Sequence, residues 1–225
     1  MAGPVGPDPR GPRRRLIETL RANGIADEAV LRAFDEVPRH LFVPTGVRHR
    51  AYEDAPLPIG NGQTISQPYV VAMTVQALEL TGHEHVLEIG TGSGYAAAIL
   101  GAIAREVDTV ERIAVLARTA ASRLALLGFP NVHVHHADGS IGWLPNAPYE
   151  AIAVAAGAPR PPPSLLDQLA IGGRLVLPFG EPEHQRLVRI TRRGDGSFTE
   201  EDLGLVRFVP LVGAEGWPDD AEALQ

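Results

Sequence analysis

The sequence has no cysteine, no lysine and no long apolar run. These absences exclude several kinds of bond, site and segment. Without cysteine among its 225 residues, the chain has neither disulfide bonds nor thiolate ligands for a metal. No apolar stretch approaches the roughly 20 residues that cross a bilayer. Residues 1–15 also lack the apolar centre of a secretory signal. We therefore expect a soluble, cytoplasmic protein with no membrane partner.

The charge balance is acidic, and arginine supplies all of the lysine-plus-arginine total. Twenty basic side chains stand against 27 acidic ones, which gives a formal net charge of −7. Such a chain repels a phosphate backbone at long range, so we expect no nucleic-acid partner. His133, His135 and His136 resemble a metal cluster, but a strand would divide them between its two faces. No metal site is predicted.

Apolar periodicity predicts a helical start followed by alternating strands and helices. Leu16, Ile17 and Leu20 recur at helical spacing, Asp27 is placed to cap a second helix, and Pro68 suits the first turn of a third. From residue 83 onward, short buried runs alternate with helical segments, which is typical of a mostly parallel, doubly wound α/β sheet. The predicted strands are 86–89, 107–110, 132–136, 151–155, 174–177, 187–190 and 206–209.

These patterns divide the chain into one folded unit with two terminal extensions. We expect a disordered lead-in over residues 1–12 and a helical N-terminal extension over 13–82. The α/β core is predicted over residues 83–213, and an acidic tail over 214–225. A helix is also expected near residue 165, with Ser164 as its cap.

A glycine-rich turn follows the first core strand, where a doubly wound sheet binds nucleotide-like ligands. It contains Gly90, Thr91, Gly92, Ser93 and Gly94. The spacing is G-x-G-x-G, whereas a dinucleotide site needs G-x-G-x-x-G. A pyrophosphate ligand is therefore disfavoured.

Three acidic side chains near this turn are candidate ligand groups. Glu88 precedes the turn by two residues and suits a cationic ligand, or else it binds the loop amides. Glu111 ends the second strand, where a ribose diol is held, although a surface salt bridge is the alternative. Asp138, followed by Gly139, is placed to accept from an adenine amino group, or to serve as a turn aspartate.

Segments outside the glycine turn resemble the protein-L-isoaspartate O-methyltransferase family. The most specific are GQTISQP at residues 62–68 and VRFVP at 206–210. Further matching segments are VPRHLFVP at 37–44, AYED at 51–54, PLPIG at 56–60, VLEIGTGSGY at 86–95, APYEAI at 147–152 and GGRLV at 172–176. The resemblance spans residues 13–213 in order. It implies a single-domain, Rossmann-like S-adenosylmethionine-dependent methyltransferase fold.

The resemblance also implies an activity, a cofactor and a substrate. The expected enzyme transfers a methyl group from S-adenosyl-L-methionine to the α-carboxylate of L-isoaspartyl residues, leaving S-adenosyl-L-homocysteine. The methyl ester then closes to a succinimide, which starts repair of the damaged protein. Isoaspartyl-containing peptides and proteins are the expected partners, and a monomer is expected. The implied cofactor contacts are Glu88, Gly90, Thr91, Gly92, Ser93, Gly94, Glu111, Asp138 and Gly139.

This methyl transfer needs no general base. An acceptor carboxylate is already ionised at neutral pH, so hydroxyl donors that align it are sufficient. Ser66 and Thr64 are the catalytic candidates, because Ser66 lies near a predicted helix start whose free amides favour an anion. On its residues alone, Ser66 is equally a helix cap. Substrate contacts are expected from Ile65 and, by strand-like pairing, from Val206, Arg207 and Phe208.

Three other functions fit part of the pattern. A homologous enzyme that methylates aspartate in one dedicated peptide would share every motif. An NAD-dependent oxidoreductase is disfavoured by the glycine spacing. A non-catalytic S-adenosylmethionine-binding module is disfavoured by the intact segment from Thr64 to Ser66.

Overall fold

The computed structural model describes residues 10–219. Most of the predicted lead-in and the last six residues of the predicted tail lie outside the described residues. Within the described range the helices are α1 (Arg10–Ala22), α2 (Glu28–Glu36), α3 (Pro68–Ala77), α4 (Tyr95–Gly101), α5 (Ala114–Leu127) and α6 (Pro163–Asp167). Short 3-10 helices occupy Arg39–Leu41, Thr45–Arg50, Gly139–Ile141 and Leu144–Asn146.

The strands form a small hairpin and one large sheet. They are β1 (Leu57–Gly60), β2 (Gln63–Ile65), β3 (His85–Ile89), β4 (Glu106–Glu111), β5 (Val132–His136), β6 (Tyr149–Val154), β7 (Leu169–Glu181), β8 (His184–Arg192) and β9 (Phe198–Val206). The hairpin pairs β1 with β2, and the sheet has the order β5-β4-β3-β6-β7-β8-β9. Its first five strands, from β5 to β7 in this order, are parallel, and β8 is antiparallel to both β7 and β9.

Local sequence signals explain how the first helices begin. Asp27 accepts hydrogen bonds from the amides of Ala29 at 2.8 Å and Val30 at 3.3 Å, which confirms it as the cap of α2. Pro68 occupies the first turn of α3, as predicted. Helix α1 begins at Arg10, three residues before the predicted start.

Apolar packing covers both faces of the sheet. Residues from α1 to α5 pack on one face around Leu20, Phe34 and Tyr95, all at most 2% exposed. The other face packs against α6 through Leu165. This two-sided burial confirms the doubly wound, mostly parallel arrangement. No helix in the described range is long and apolar enough to cross a membrane.

Two sequence-based predictions are corrected in the second half of the chain. The last strand was predicted over residues 206–209, but β9 ends at Val206 and begins at Phe198. Its residues are mostly exposed on the sheet edge, so no apolar run marks them. Ser164 does not cap α6, because the helix begins at Pro163. Instead the Ser164 amide and hydroxyl both donate to the carboxylate of Glu215 at 2.8 Å.

The segment after β9 returns across the end of the sheet, where hydrogen bonds to residues of the core hold it in place. The Ala214 amide donates to Asp138 at 2.8 Å, and the Glu215 amide donates to the Ser140 hydroxyl at 3.0 Å. The Trp217 indole donates to the carbonyl oxygen of Gly157 at 3.0 Å. These contacts hold the preceding residues 209–212 against the carboxyl ends of the parallel strands.

Candidate active site

An open cleft lies at the carboxyl ends of the parallel strands. Chain order reverses there, because β4 and β5 continue from β3 on one side while β6 and β7 lie on the other. A doubly wound sheet binds its ligand at this switch point. The glycine turn, the segment from Gln63 to Ser66 and residues 209–212 all line the cleft. The fold thus brings the two most specific sequence segments to one place.

The glycine turn depends on backbone conformations that favour glycine. Gly90, Gly92 and Gly94 have φ angles of 95°, 52° and 87°. A Cβ on Gly90 would meet the Ala155 Cβ at 3.5 Å, so a larger side chain would fill the cleft. Gly94 itself does not line the cleft, and its Cβ position faces Leu124 of α5 at 3.3 Å. Its predicted cofactor contact is thus replaced by close packing of the turn against α5.

Glu111 lies at the end of β4 and lines the cleft. One carboxylate oxygen accepts from the Gly92 amide and the other from the Ile113 amide, both at 2.9 Å. The side chain therefore joins the glycine turn to the start of α5 from below the cleft. No salt bridge to Arg112 or Arg118 forms within the described chain, so the surface-pair alternative is not the one observed. The predicted ribose contact stays a prediction.

Glu88 does not line the cleft, contrary to its predicted cofactor contact. Its side chain is 1% exposed, and one oxygen accepts from the Thr109 hydroxyl at 2.5 Å. Thr109 in turn lies 2.6 Å from the hydroxyl of Thr91 in the turn. Burial raises the pKa of Glu88 to about 8, so the group is largely a neutral acid at pH 7. Its other oxygen is buried without a described partner and borders a separate small cavity. Glu88 supports the turn and does not face a cation.

Both carboxylate oxygens of Asp138 accept hydrogen bonds from other residues of the chain. One oxygen accepts from the amide and hydroxyl of Ser140 at 2.8 and 2.7 Å, and the other accepts from the Ala214 amide. This is the turn role that the sequence left open. Gly139 does line the cleft, and a Cβ there would lie 2.6 Å from the Ile89 Cγ2. The predicted adenine contact of Asp138 stays a prediction.

Thr64, Ile65 and Ser66 form the opposite wall of the cleft. Ile65 is buried, whereas Thr64 is exposed and Ser66 is partly so. Ser66 is not the cap of α3, because Gln67 holds that position. No residue between 10 and 219 hydrogen-bonds the hydroxyl of Thr64 or Ser66. Both hydroxyls are therefore free for a substrate.

The start of α3 is already occupied by a carboxylate. Asp54 accepts from the Tyr69 amide at 2.8 Å and from the Gln67 side chain at 2.9 Å. The Tyr69 amide at this helix start is therefore taken by Asp54 and is not available to a bound anion. A positive charge does lie near Ser66, on the buried side chain of Arg39. Its Nη2 donates to the carbonyl oxygen of Ser66 at 2.9 Å.

Phe208 is not available for the strand-like pairing predicted for it. The buried side chain of Gln185 accepts from the Phe208 amide at 2.7 Å and donates to its carbonyl oxygen at 3.2 Å. Val206 pairs with β8 on one side only, since β9 is the edge of the sheet. The Arg207 side chain is exposed and pairs with Glu183 at 3.4 Å. The predicted peptide contact with Val206 and Arg207, on the outer edge of the sheet, stays a prediction.

Sequence reasoning missed several residues of the cleft wall. Residues 209–212 line it, as do Ala155 and Ala156 just after β6. The position of β6 next to β3 was the available signal, because strand ends at a switch point surround the ligand. Nothing in the local pattern of residues 209–212 shows that they return to the cleft, since long-range hydrogen bonds set their course.

The three clustered histidines lie on the edge strand β5 and contact different groups, with His136 Nε2 3.1 Å from the carbonyl oxygen of Arg112. His85 and His135 both contact Asp108, at 2.8 and 2.6 Å, and His135 stacks on Trp143 at 4.0 Å. His133 contacts Glu106 at 2.5 Å. Within residues 10–219 no group of three or more candidate ligand side chains is arranged to hold a metal.

Sequence comparisons connect the whole cleft to one family. The model of the protein-L-isoaspartate(D-aspartate) O-methyltransferase family matches residues 12–216. The chain is 57% identical over 205 residues to protein-L-isoaspartate O-methyltransferase 1 of Rhodopseudomonas palustris strain HaA2, covering 91% of this chain and 84% of that one. It is 58% identical over 199 residues to the corresponding protein of strain CGA009, covering 88% and 91%.

Solved structures show the same fold. A Plasmodium falciparum structure described as a putative protein-L-isoaspartate O-methyltransferase with S-adenosyl-L-homocysteine matches with a TM-score of 0.77 and 25% identity, over 88% of this chain and 96% of that one. Another protein-L-isoaspartate O-methyltransferase matches with a TM-score of 0.83 and 28% identity, over 91% and 67%.

Proposed function

The chain belongs to the protein-L-isoaspartate O-methyltransferase family, and we propose that the cleft described above methylates the α-carboxylate of L-isoaspartyl residues in damaged proteins. Its enzyme class is that of S-adenosylmethionine-dependent methyltransferases. One observation carries the assignment of the site: two hydroxyls without partners in the described chain, on Thr64 and Ser66, line the same cleft as the glycine turn. A monomeric state and a cytoplasmic location stay predictions.

The glycine-turn side of the cleft suits the adenosine and amino-acid parts of the cofactor. When bound, S-adenosyl-L-methionine supplies a methyl group on a positively charged sulfur. Gly90 and Gly92 leave room beside the main chain, and the aliphatic side chains of Val110 and Ile113 offer an apolar surface. Glu111 lines the same wall and is the group we assign to the ribose hydroxyls.

The opposite wall, formed by residues 64–66, has to bind the acceptor carboxylate and still leave it reactive. Ser66 and Thr64 donate hydrogen bonds to the acceptor carboxylate and turn one of its oxygens toward the glycine turn. No general base is needed, because an isoaspartyl carboxylate is ionised at neutral pH. The Ile65 side chain packs inward and fixes the backbone between the two hydroxyl residues. The outer edge of β9 at Val206 and Arg207 is the proposed contact for the substrate main chain.

The first experiment compares two peptides that differ only in one linkage. The purified protein is incubated with labelled S-adenosyl-L-methionine and a peptide containing L-isoaspartate or L-aspartate. We expect a base-labile methyl ester on the isoaspartyl peptide alone. Label on the aspartyl peptide alone would instead establish the dedicated peptide-modifying alternative, and no label on either would overturn the proposed substrate.

The Ser66→Ala variant then tests the site. We expect kcat/KM for the isoaspartyl peptide to fall about tenfold to a hundredfold, because one donor to the reacting carboxylate is lost. Cofactor affinity should stay unchanged. Ser122→Ala is the matched control, since Ser122 is an exposed serine outside the cleft. Equal kinetics for both variants would remove Ser66 from the mechanism.

A further inference from the structure

Arg39 contacts three segments of the chain, two of which line the cleft. It is 0% exposed, and its Nε donates to the carbonyl oxygen of Ala51 at 2.8 Å. Its Nη2 donates to the carbonyl oxygen of Ser66 at 2.9 Å. The guanidinium carbon lies 4.8 Å from the ring centre of Tyr95, the residue that follows the glycine turn. One side chain thus touches both walls of the cleft without lining it.

The charge of Arg39 has no carboxylate partner within ion-pair distance in the described chain. Asp54 is the acidic group near enough to act on it through space, but both Asp54 oxygens are engaged at the start of α3. Burial lowers the pKa of Arg39, yet a guanidinium is so basic that it stays charged at neutral pH. Its Nη1 is buried without an acceptor. The fold therefore contains a buried positive charge that carbonyl dipoles and an aromatic ring balance only in part.

Packing alone does not call for a charge at this position. A buried, unpaired cation is unfavourable, whereas a neutral side chain of similar volume would fill the same space. The substrate assigned above brings the missing anion. Its carboxylate is placed at the Ser66 hydroxyl, and Arg39 holds the carbonyl oxygen of the same residue. Because the guanidinium is shielded from water, its attraction to that anion is weakly screened.

We propose that Arg39 is a positioning residue that selects a negatively charged acceptor: its buried guanidinium attracts the isoaspartyl carboxylate through the Ser66 backbone while fixing that backbone in place. This inference rests on the proposed function. The attraction acts on the bound substrate more than on the transition state, because methyl transfer neutralises the carboxylate and the sulfonium together. Removing the charge should therefore raise KM much more than it lowers kcat.

The test measures charge selectivity in binding. Dissociation constants are measured, with S-adenosyl-L-homocysteine present, for an L-isoaspartyl peptide and for the same peptide whose α-carboxylate is replaced by a carboxamide. The variants are Arg39→Gln, Arg39→Met and Arg39→Lys. We expect both neutral variants to lose about tenfold or more of the preference for the carboxylate, and Arg39→Lys to keep most of it. A general loosening of the site would weaken both peptides equally.

Arg192 provides a matched control. It also donates to a carbonyl oxygen, that of Leu169 at 2.7 Å, has a buried nitrogen without a described partner and faces the ring of Phe198. It lies at the opposite end of the sheet, so Arg192→Met should leave the carboxylate preference intact. Binding of S-adenosyl-L-homocysteine reports folding of every variant.

The outcomes separate this inference from the proposed function. If the wild-type protein neither methylates nor binds the isoaspartyl peptide, the proposed function fails. If it does both and a folded neutral variant keeps the full carboxylate preference, the role of Arg39 fails while the function stands. The role also fails if all three Arg39 variants lose S-adenosyl-L-homocysteine binding, because Arg39 is then needed for folding alone.

Discussion

The two walls of the cleft differ in how far their polar groups are already paired. On the glycine-turn side, Glu111 and Asp138 use both carboxylate oxygens within the chain, and Glu88 is held by Thr109. On the substrate side, the hydroxyls of Thr64 and Ser66 have no partner in residues 10–219. The first wall is a rigid main-chain surface shaped by carboxylates. The second presents donors that only a ligand completes.

This difference separates what shapes the cleft from what recognises the substrate. Glu111 orders an amide of the glycine turn, so its loss should disturb the turn as a whole. Hydroxyls of the second wall support nothing else, so their loss should affect the reaction without affecting the fold. The following changes test the contrast, beginning with the largest expected effect.

Gly90→Val should abolish measurable cofactor binding, a loss of more than about a thousandfold, because the side chain projects toward Ala155 across the cleft at a backbone angle that valine rarely adopts. Calorimetric titration with S-adenosyl-L-homocysteine measures the effect. Gly196→Val is the control, since its φ of 83° carries the same strain in the β8–β9 hairpin with open space around it. Equal affinities in the two variants would show that strain, and not the lost space, determines binding.

Glu88→Gln should change how stability depends on pH. The folded pKa of about 8 lies above the unfolded value of 4.5, so the folded state binds the extra proton between these values. The stabilising contribution of Glu88 is thus complete below pH 4.5 and is lost as pH rises through about 8. Glutamine does not ionise, so the stability of the variant does not fall in this way as pH rises. Relative to wild type it should gain about 4 kcal/mol in free energy of unfolding between pH 5 and pH 9.

Urea unfolding of both proteins across that pH range measures the difference. Glu84→Gln is the control, because hydrogen bonds from residues 81–83 lower the pKa of Glu84 and its pH dependence has the opposite sign. Parallel pH profiles for wild type and Glu88→Gln would mean that Glu88 is ionised when folded, and its role as a neutral support of the turn would be wrong.

Arg207→Pro should raise KM for an isoaspartyl peptide a few-fold, on the order of 1 kcal/mol, because proline removes the amide that would pair with the substrate main chain. Arg207→Ala keeps that amide and loses an exposed pair with Glu183, which contributes little. We expect the alanine variant to match the wild type. An equal rise in KM for both variants would assign the contact to the side chain instead of the backbone.

The parallel core was predictable because its elements carry local signals. Buried runs such as residues 86–89 mark central strands, and Asp27 and Pro68 mark helix starts. Strand β9 was misplaced because a sheet edge is held by backbone pairing and needs no apolar residues. The start of α6 was misjudged because the Ser164 amide is satisfied by Glu215, which lies 51 residues further along the chain.

The site was predictable where backbone geometry dictates sequence, and less so where side chains choose among partners. Gly90 and Gly92 are marked by conformations that other residues avoid. The direction of Glu88 was not readable, because an acid on a central strand is normally assumed to face solvent or ligand and here is protonated in the core. Arg39 gave no sign of its burial, since its partners are carbonyl oxygens, which every residue has.

The returning segment fastened by Asp138, Ser140 and Gly157 has a consequence for the timing of synthesis. A chain growing from its N-terminus contains the glycine turn, Glu111 and Ser66 long before it contains the cleft wall at residues 209–212. Until those residues arrive, Asp138 lacks its Ala214 partner and the cleft stands open on one side. The wall at residues 209–212 is therefore the last part of the cleft to be synthesised, and the cleft is complete only when Ala214 has reached Asp138.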